Sequence, residues 1–189
     1  EVSPILTKDE IESIRSFYSE HMTDNYNLMR TSLDGRKFNL ESLQTLIKKP
    51  HLIRETTKSK RECLEKMIKE CDSSNRKNKE FKESILERET LGSTSVYTGV
   101  ALPHCDPRFV EQSELIVMTL DKPINWGKNN VKLIILIAVA ENDIPIFKDS
   151  LIVLYSVIEN QELMNELVQL ENGDEIKNRL LKEVSQNAK

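Results

Sequence analysis

Apolar residues recur at helical spacing in three segments of the first half of the chain. Spacings of three and four residues place side chains on one face of a helix, so each segment predicts an amphipathic helix. We expect the first helix to stop at Pro50, the second to begin near Thr57 and the third to end at Gly92. The apolar positions are Leu40, Leu43, Leu46 and Ile47 in the first, Cys63, Leu64, Met67, Ile68 and Cys71 in the second, and Phe81, Ile85 and Leu86 in the third.

Two continuous apolar runs follow, over residues 114–120 and 131–140. They are rich in β-branched residues, which is typical of central strands with both faces buried. The sequence KPINWGKN between them predicts a turn. Residues 100–102 predict a further short strand, and we expect Pro103 to stop its ladder pairing.

Three more helical stripes complete the chain, the last of them after a break at Gly173. Their members are Leu151, Leu154, Tyr155 and Ile158; Leu163, Met164 and Leu167; and Ile176, Leu180 and Leu181. The order of helices, strands and helices predicts an α/β fold in which a sheet is sandwiched between helical layers.

Residues 1–37 are more polar than the rest of the chain. A capping box at Thr7 opens a predicted helix, and the stretch over residues 22–37 contains the turn sequence LDGRK. We interpret residues 1–37 as the tail of an upstream domain plus a linker, and residues 38–189 as one domain. The chain begins at Glu1 rather than at a methionine, which favours its being a piece of a longer protein.

Composition narrows the function classes. The 189 residues carry a formal net charge of −4 with acids and bases intermixed, which argues against direct nucleic-acid binding by this chain. No apolar run approaches the roughly 20 residues of a membrane-spanning helix, so we expect no membrane insertion. Cys63, Cys71 and Cys105 lack the spacing of a disulfide framework or a zinc site. We therefore expect a cytoplasmic protein with reduced thiols and with no bound metal or other cofactor.

Histidine is rare in this sequence, which contains only His21, His51 and His104. The first lies in a polar predicted helix and the second follows a helix end, where solvent-facing residues without a function are common. His104 instead follows a predicted strand and a rigid proline, a position that holds a side chain firmly while it reaches solvent. A neutral imidazole with one exposed nitrogen is a nucleophile toward phosphorus. A lone histidine after a strand is also often structural, and position alone leaves both roles open.

Groups that stabilise a phosphoryl group precede His104 within 16 residues: Arg88, Ser93, Thr94 and Gly99. A guanidinium, hydroxyls and backbone N–H groups favour the charge on the three phosphoryl oxygens. Arg88 also has an acidic residue on each side, and these acids would hold it in one orientation. The spacing fits an exposed helical arginine paired with a residue four positions away equally well.

The stretch from Arg88 to His104 reads RETLGSTSVYTGVALPH. It resembles the signature of the enzyme IIA domains of the fructose–mannitol family in the bacterial phosphoenolpyruvate-dependent sugar phosphotransferase system. The resemblance extends from about Leu40 to the C-terminus. It implies a mixed sheet between helices, with His104 as the phosphoacceptor and Arg88 as the phosphate-stabilising residue. It also implies the phosphocarrier protein HPr and a IIB domain as partners.

Two departures from the family pattern bear on function. Transport members commonly have a second histidine after the strand that matches residues 131–140, whereas the segment ENDIPIFKDSL has Phe147 near that place. Cys105 stands where a small residue is more usual. The first departure removes a hydrogen-bond donor to the phosphoryl group, which affects onward relay more than acceptance at His104.

The N-terminal sequence EVSPILTKDEIESI resembles the end of a IIB-like domain in sugar-responsive transcription regulators of the antiterminator/activator type. We therefore favour the C-terminal IIA-like domain of such a regulator, in which HPr phosphorylates His104 and the phosphate is a signal. The alternatives are a transport subunit that passes phosphate from HPr to IIB, and a docking module without phosphate chemistry. Whether the domain acts as an enzyme stays open, as do the sugar and the oligomeric state, a homodimer included.

Overall fold

The computed structural model describes residues 53–54 and 59–187. The predictions that fall outside the described residues concern the tail and linker in residues 1–37, the helix that stops at Pro50, His21 and His51. The helix expected to begin near Thr57 begins at Lys60.

Five strands of the described part form one mixed sheet. They are β1 (Ile53–Arg54), β2 (Ser95–Val96), β3 (Val100–Ala101), β4 (Glu114–Asn125) and β5 (Asn130–Ala138). Their order in the sheet is β1-β4-β5-β3-β2. The pairs β4–β5 and β2–β3 are antiparallel, whereas β1 runs parallel to β4 and β3 runs parallel to β5. The two long strands predicted from apolar runs are confirmed, and both lie inside the sheet.

Helices cover the sheet on both faces, as predicted. The helices are α1 (Lys60–Glu70), α2 (Ser73–Lys77), α3 (Lys79–Leu91), α4 (Ile144–Ile158), α5 (Gln161–Leu167) and α6 (Gly173–Asn187). Because successive strand residues point to opposite faces, β4 sends Ile116 and Met118 into one buried cluster with α1 and α3. It sends Leu115 and Val117 into a second cluster with α4, α5 and α6. The sheet therefore separates two apolar cores, and its two faces contribute side chains to one core each.

The helical layer formed by α1, α2 and α3 differs in detail from the prediction. Ser59 caps α1, since its hydroxyl accepts a hydrogen bond from the backbone N–H of Glu62 at 3.2 Å. The short helix α2 was not predicted, and the side chains of Asp72 and Asn78 cap α2 and α3 respectively. The helix α3 ends at Gly92 as predicted, although the φ of 174° at this glycine is extended rather than left-handed.

The turn between the two long strands is shorter than predicted. The strand β4 continues through four of the eight residues of KPINWGKN, after a register shift between Thr119 and Ile124. Only residues 126–129 turn the chain, closed by a hydrogen bond from the Trp126 N–H to the Asn129 carbonyl at 2.9 Å. The register shift accommodates Pro123, which has no N–H for a regular ladder. Trp126 is fully buried, and it brings this turn against the end of α3.

Candidate functional site

The backbone around His104 is fixed to the centre of the sheet. The N–H of Ile137 donates to the Pro103 carbonyl at 2.9 Å, and the N–H of Cys105 donates to the Ile137 carbonyl at 3.2 Å. His104 itself forms a parallel bridge with Ile137 of β5. Strand β3 ends at Ala101, before Pro103, as expected, and a single bridge to β5 follows at His104.

The imidazole of His104 has a defined tautomer. Its Nδ1 lies 3.1 Å from the Leu102 carbonyl oxygen. A carbonyl only accepts, so the neutral ring carries its proton on Nδ1 and has its lone pair on Nε2. Burial lowers the pKa of His104 below its ordinary value of 6.5, and the charge of Arg88 lowers it further. The hydrogen bond to the Leu102 carbonyl and the charge of Glu89 act in the opposite direction and raise this pKa, but less than burial lowers it. The half-buried ring is therefore neutral near pH 7, with Nε2 available as a nucleophile.

Arg88 lies beside that nitrogen. Its Nε donates to His104 Nε2 at 3.2 Å, and its Nη1 donates to the Gly92 carbonyl at 3.2 Å. The guanidinium is thus oriented by a backbone carbonyl at the end of α3, where a positive charge is favoured by the helix dipole. The prediction that the two flanking acids orient Arg88 is not supported, since its hydrogen bonds in the described part go to His104 and Gly92.

One of those flanking acids has a different place. Glu89 is 3% exposed, and its Oε2 accepts from Trp126 Nε1 at 3.1 Å and from Lys60 Nζ at 3.3 Å. Its Oε1 accepts from the Thr94 hydroxyl. The Lys60 ammonium also donates to the Glu89 carbonyl at 3.0 Å and lies 5.8 Å from the Trp126 ring centroid. We call Lys60, Glu89, Thr94 and Trp126 the Glu89 cluster. Sequence reasoning missed Lys60 and Trp126 because both are far from Glu89 along the chain.

The loop between α3 and β2 holds two of the predicted phosphate-binding residues. The Ser93 hydroxyl donates to the Trp126 carbonyl at 2.7 Å, and the Thr94 hydroxyl is directed at Glu89. The loop also packs closely on Gly127, which has φ of 109° and where a Cβ would lie 3.1 Å from the Ser93 Cβ. Both hydroxyls therefore hold the loop in place rather than point at His104.

Gly99 is not brought to His104. It has φ of 82° in the turn between β2 and β3 and donates its N–H to the Val96 carbonyl at 3.1 Å. It precedes β3, whereas His104 follows the other end of that strand. Gly99 thus allows the turn, because a residue without a Cβ adopts a positive φ at little cost.

Two further residues singled out in the sequence are buried. Cys105 is 4% exposed, and burial raises the pKa of its thiol to about 12, which makes it unreactive. Phe147 of α4 is a buried member of the apolar cluster that also contains Leu102 and Ile137. The nine residues 139–147 that follow β5 include no histidine.

No group of three or more His, Cys, Asp or Glu side chains in residues 53–54 and 59–187 is arranged to hold a metal ion. None of the helices in the described part of the chain has the length and apolar character that a bilayer crossing needs.

Residues 45–183 match the family model described as the phosphoenolpyruvate-dependent sugar phosphotransferase system, EIIA 2. The transcriptional regulator ManR of Bacillus subtilis is 32% identical over 66 residues, which are 35% of this chain and 10% of that protein. The 2-O-alpha-mannosyl-D-glycerate-specific EIIABC component of Escherichia coli is 34% identical over 68 residues, 34% of this chain and 10% of that protein. The chain thus spans about one tenth of the length of these relatives.

Solved structures of IIA proteins share the fold. The nitrogen regulatory protein IIA-Ntr of Neisseria meningitidis superposes with a TM-score of 0.59 at 22% identity, over 68% of this chain and 91% of that one. The IIA mannitol chain of Escherichia coli was solved in complex with phosphorylated IIB mannitol. It gives a TM-score of 0.56 at 14% identity, over 68% of this chain and 92% of that one. At these identities the likeness establishes the fold.

Proposed function

The chain belongs to the EIIA 2 family of the phosphoenolpyruvate-dependent sugar phosphotransferase system, and we propose on that premise that His104 accepts a phosphoryl group from HPr. The observation that carries the proposal is the pairing of Arg88 Nε with His104 Nε2 at 3.2 Å. A neutral nucleophile and a guanidinium that balances phosphoryl charge then lie side by side.

The transfer exchanges one nitrogen–phosphorus bond for another. The Nε2 lone pair of His104 attacks the phosphorus of the phosphohistidine of HPr, and the electron pair of the broken bond returns to the ring nitrogen of the donor. The proton on His104 Nδ1 stays in place, and its hydrogen bond to the Leu102 carbonyl gains charge assistance as the ring becomes cationic. Arg88 releases Nε2 and turns to the phosphoryl oxygens.

Two observations support a regulator context. ManR, a transcriptional regulator, is among the relatives, and residues 139–147 lack the second histidine that transport members commonly have. We assign the chain to a cytoplasmic, sugar-responsive transcription regulator in which the phosphate on His104 changes contacts between domains. A IIB-like domain, in the same chain or separate, is the expected neighbour, as IIB mannitol is for the IIA mannitol structure.

Incubation with enzyme I, HPr and phosphoenolpyruvate tests the phosphoacceptor role. We expect intact-mass analysis to show one added phosphoryl group that is acid-labile and base-stable, as a phosphoramidate is. The group should be absent in His104→Ala and retained in His51→Ala. An unmodified wild type, under conditions in which HPr itself is phosphorylated, would overturn the proposal and favour a docking module.

Transport is the second candidate, because the EIIABC component is 34% identical over its matched residues. Phosphoryl transfer depends on positioning and charge stabilisation, and the side chain of Phe147 has no hydrogen-bond donor to supply. We expect transfer from phosphorylated His104 to a IIB domain to be slower than from a transport IIA domain by about 10²-fold, the value of one oxyanion donor. Rapid-quench transfer at the rate of a transport domain would make the transport role the better assignment.

A further inference from the structure

We propose that Glu89 is a positioning residue for phosphoryl transfer, which holds both His104 and the Arg88-bearing end of α3 in their working geometry through the Glu89 cluster. This inference rests on the proposed function of His104. Glu89 touches neither the imidazole nor the guanidinium in the structure, so its action would be indirect.

Stability alone gives little reason for a carboxylate at this position. The Glu89 side chain is 1% exposed and its partner Lys60 is 30% exposed, and burying an ion pair costs desolvation that often cancels its attraction. Glu89 also lies in the last turn of α3, where the helix dipole disfavours a negative charge. An apolar residue of similar size would avoid these two costs, at the expense of leaving the buried Trp126 N–H without its acceptor.

A continuous series of hydrogen bonds joins Glu89 to the imidazole. The Glu89 carboxylate accepts from the Thr94 hydroxyl. The Thr94 carbonyl accepts from the Leu102 N–H at 3.2 Å, and the Leu102 carbonyl lies 3.1 Å from His104 Nδ1. The carbonyl that fixes the tautomer of His104 therefore belongs to Leu102, the residue after β3. The Thr94 backbone holds Leu102, and Glu89 holds the Thr94 side chain.

The second connection runs through the peptide bond between Arg88 and Glu89. Trp126 and Lys60 bind the Glu89 carboxylate at 3.1 and 3.3 Å, which immobilises the last turn of α3 next to the guanidinium. The negative charge of Glu89 also raises the pKa of His104, so it favours the cationic ring that forms during transfer. One buried carboxylate thus supports the nucleophile and orients the residue that stabilises the phosphoryl group.

Glu89→Gln removes the charge and keeps the shape, and Glu87→Gln is the matched control on the exposed side of the same helix turn. We expect Glu89→Gln to lower the rate constant of phosphorylation by HPr on the order of tenfold, since a displacement of about 1 Å costs up to about 10²-fold. We expect Glu87→Gln to react as the wild type does. Rates are compared per folded molecule, with the folded fraction taken from circular dichroism.

Thr94 supplies a second variant pair in case Glu89→Gln folds poorly. Thr94→Val removes the hydroxyl at nearly constant volume, and we expect a loss similar to that of Glu89→Gln, with partial recovery in Thr94→Ser. The double variant Glu89→Gln/Thr94→Val should be no slower than Glu89→Gln alone, because the Thr94 hydroxyl acts only through its contact with Glu89. Losses that multiply would show that Thr94 contacts phosphate independently and would overturn the proposed series.

A measurement on the unphosphorylated protein separates this inference from the proposed function. Titration of the His104 ring protons by NMR should give a lower pKa in Glu89→Gln than in wild type, and an unchanged pKa in Glu87→Gln. Wild-type rate and unchanged His104 pKa in Glu89→Gln, with only the melting temperature lowered, would show that the cluster is merely structural. Absence of phosphorylation in the wild type would instead count against the function of His104.

Discussion

Two buried polar clusters lie at opposite ends of the helical pair α2 and α3, and they are built differently. The Glu89 cluster is an ion pair joined by side-chain donors at the end of α3. The other centres on Asn75 of α2, which is fully buried. The amide of Asn75 accepts from the N–H groups of Glu111 and Gln112 at 2.8 and 3.1 Å. It donates to the Gln112 carbonyl at 2.6 Å and to Glu114 at 2.7 Å.

The difference shows that burial of a polar residue is not in itself a sign of function. Asn75 binds mainly to backbone groups of the loop before β4, so it replaces the ladder hydrogen bonds that this loop lacks. Among the described residues, the Glu89 carboxylate accepts from three side chains and no backbone N–H, and these contacts connect it to the region of Arg88 and His104. The cluster directed mainly at backbone groups should therefore govern stability, whereas the ion-paired cluster beside the site should govern reactivity.

Of the substitutions that test this difference between stability and reactivity, Arg88→Ala should have the largest effect. Losing one charge-assisted contact to a phosphoryl group costs about 2–4 kcal/mol in the transition state, so phosphorylation of His104 should slow by at least tenfold. The melting temperature should change little. The control is Arg76→Ala, which removes an exposed arginine from α2, the helix that contains Asn75. A large melting shift with an unchanged rate would make Arg88 a structural residue.

Asn75→Ala should show the opposite behaviour. It removes a fully buried amide and leaves the part-buried N–H groups of Glu111 and Gln112 without this acceptor, which costs about 1–3 kcal/mol of the free energy of unfolding. Urea denaturation measures this loss, and the exposed Asn165→Ala serves as a control with a change within about 0.5 kcal/mol. The phosphorylation rate per folded molecule should equal that of the wild type. A slowed rate in Asn75→Ala would remove the distinction between the two clusters.

The smallest effect should come from pH. Burial lowers the pKa of His104 below 6.5, so the unfolded chain binds a proton between 6.5 and the lower folded value while the folded chain does not. The free energy of unfolding should therefore fall as the pH drops below 6.5, and the fall should be smaller in His104→Asn. Urea denaturation of both proteins across this pH range isolates the contribution of His104. Parallel curves would show that its ring titrates freely.

The sequence predicted the parts of the fold that depend on long apolar patterns. The two long strands and the last three helices were recognisable because their periodicity extends over many residues. The strands β1 and β2 have two residues each, and such short strands carry no periodic signal.

Within the site, His104 and Arg88 were recognised from a contiguous signature, and the structure places them together. The Glu89 cluster was not predicted because its partners are remote: Lys60 is 29 residues from Glu89 and Trp126 is 37 residues away. The hydroxyls of Ser93 and Thr94 bind Trp126 and Glu89 instead of pointing at His104, and this too depends on three-dimensional packing. The sequence near His104 shows which hydrogen-bond donors are present, but it does not show which acceptors they bind.

The attachment of His104 to Ile137 has a consequence for recognition. With the neighbouring peptide groups on both sides bonded to a buried strand, the histidine has no backbone freedom to lose when a phosphoryl donor docks. Association then costs little conformational entropy at the reacting residue, and the rate of encounter depends on how often two rigid surfaces meet in the correct orientation. If His104 accepts phosphate as we propose, discrimination among phosphohistidine carriers should come from the shape and charge of the surface around it.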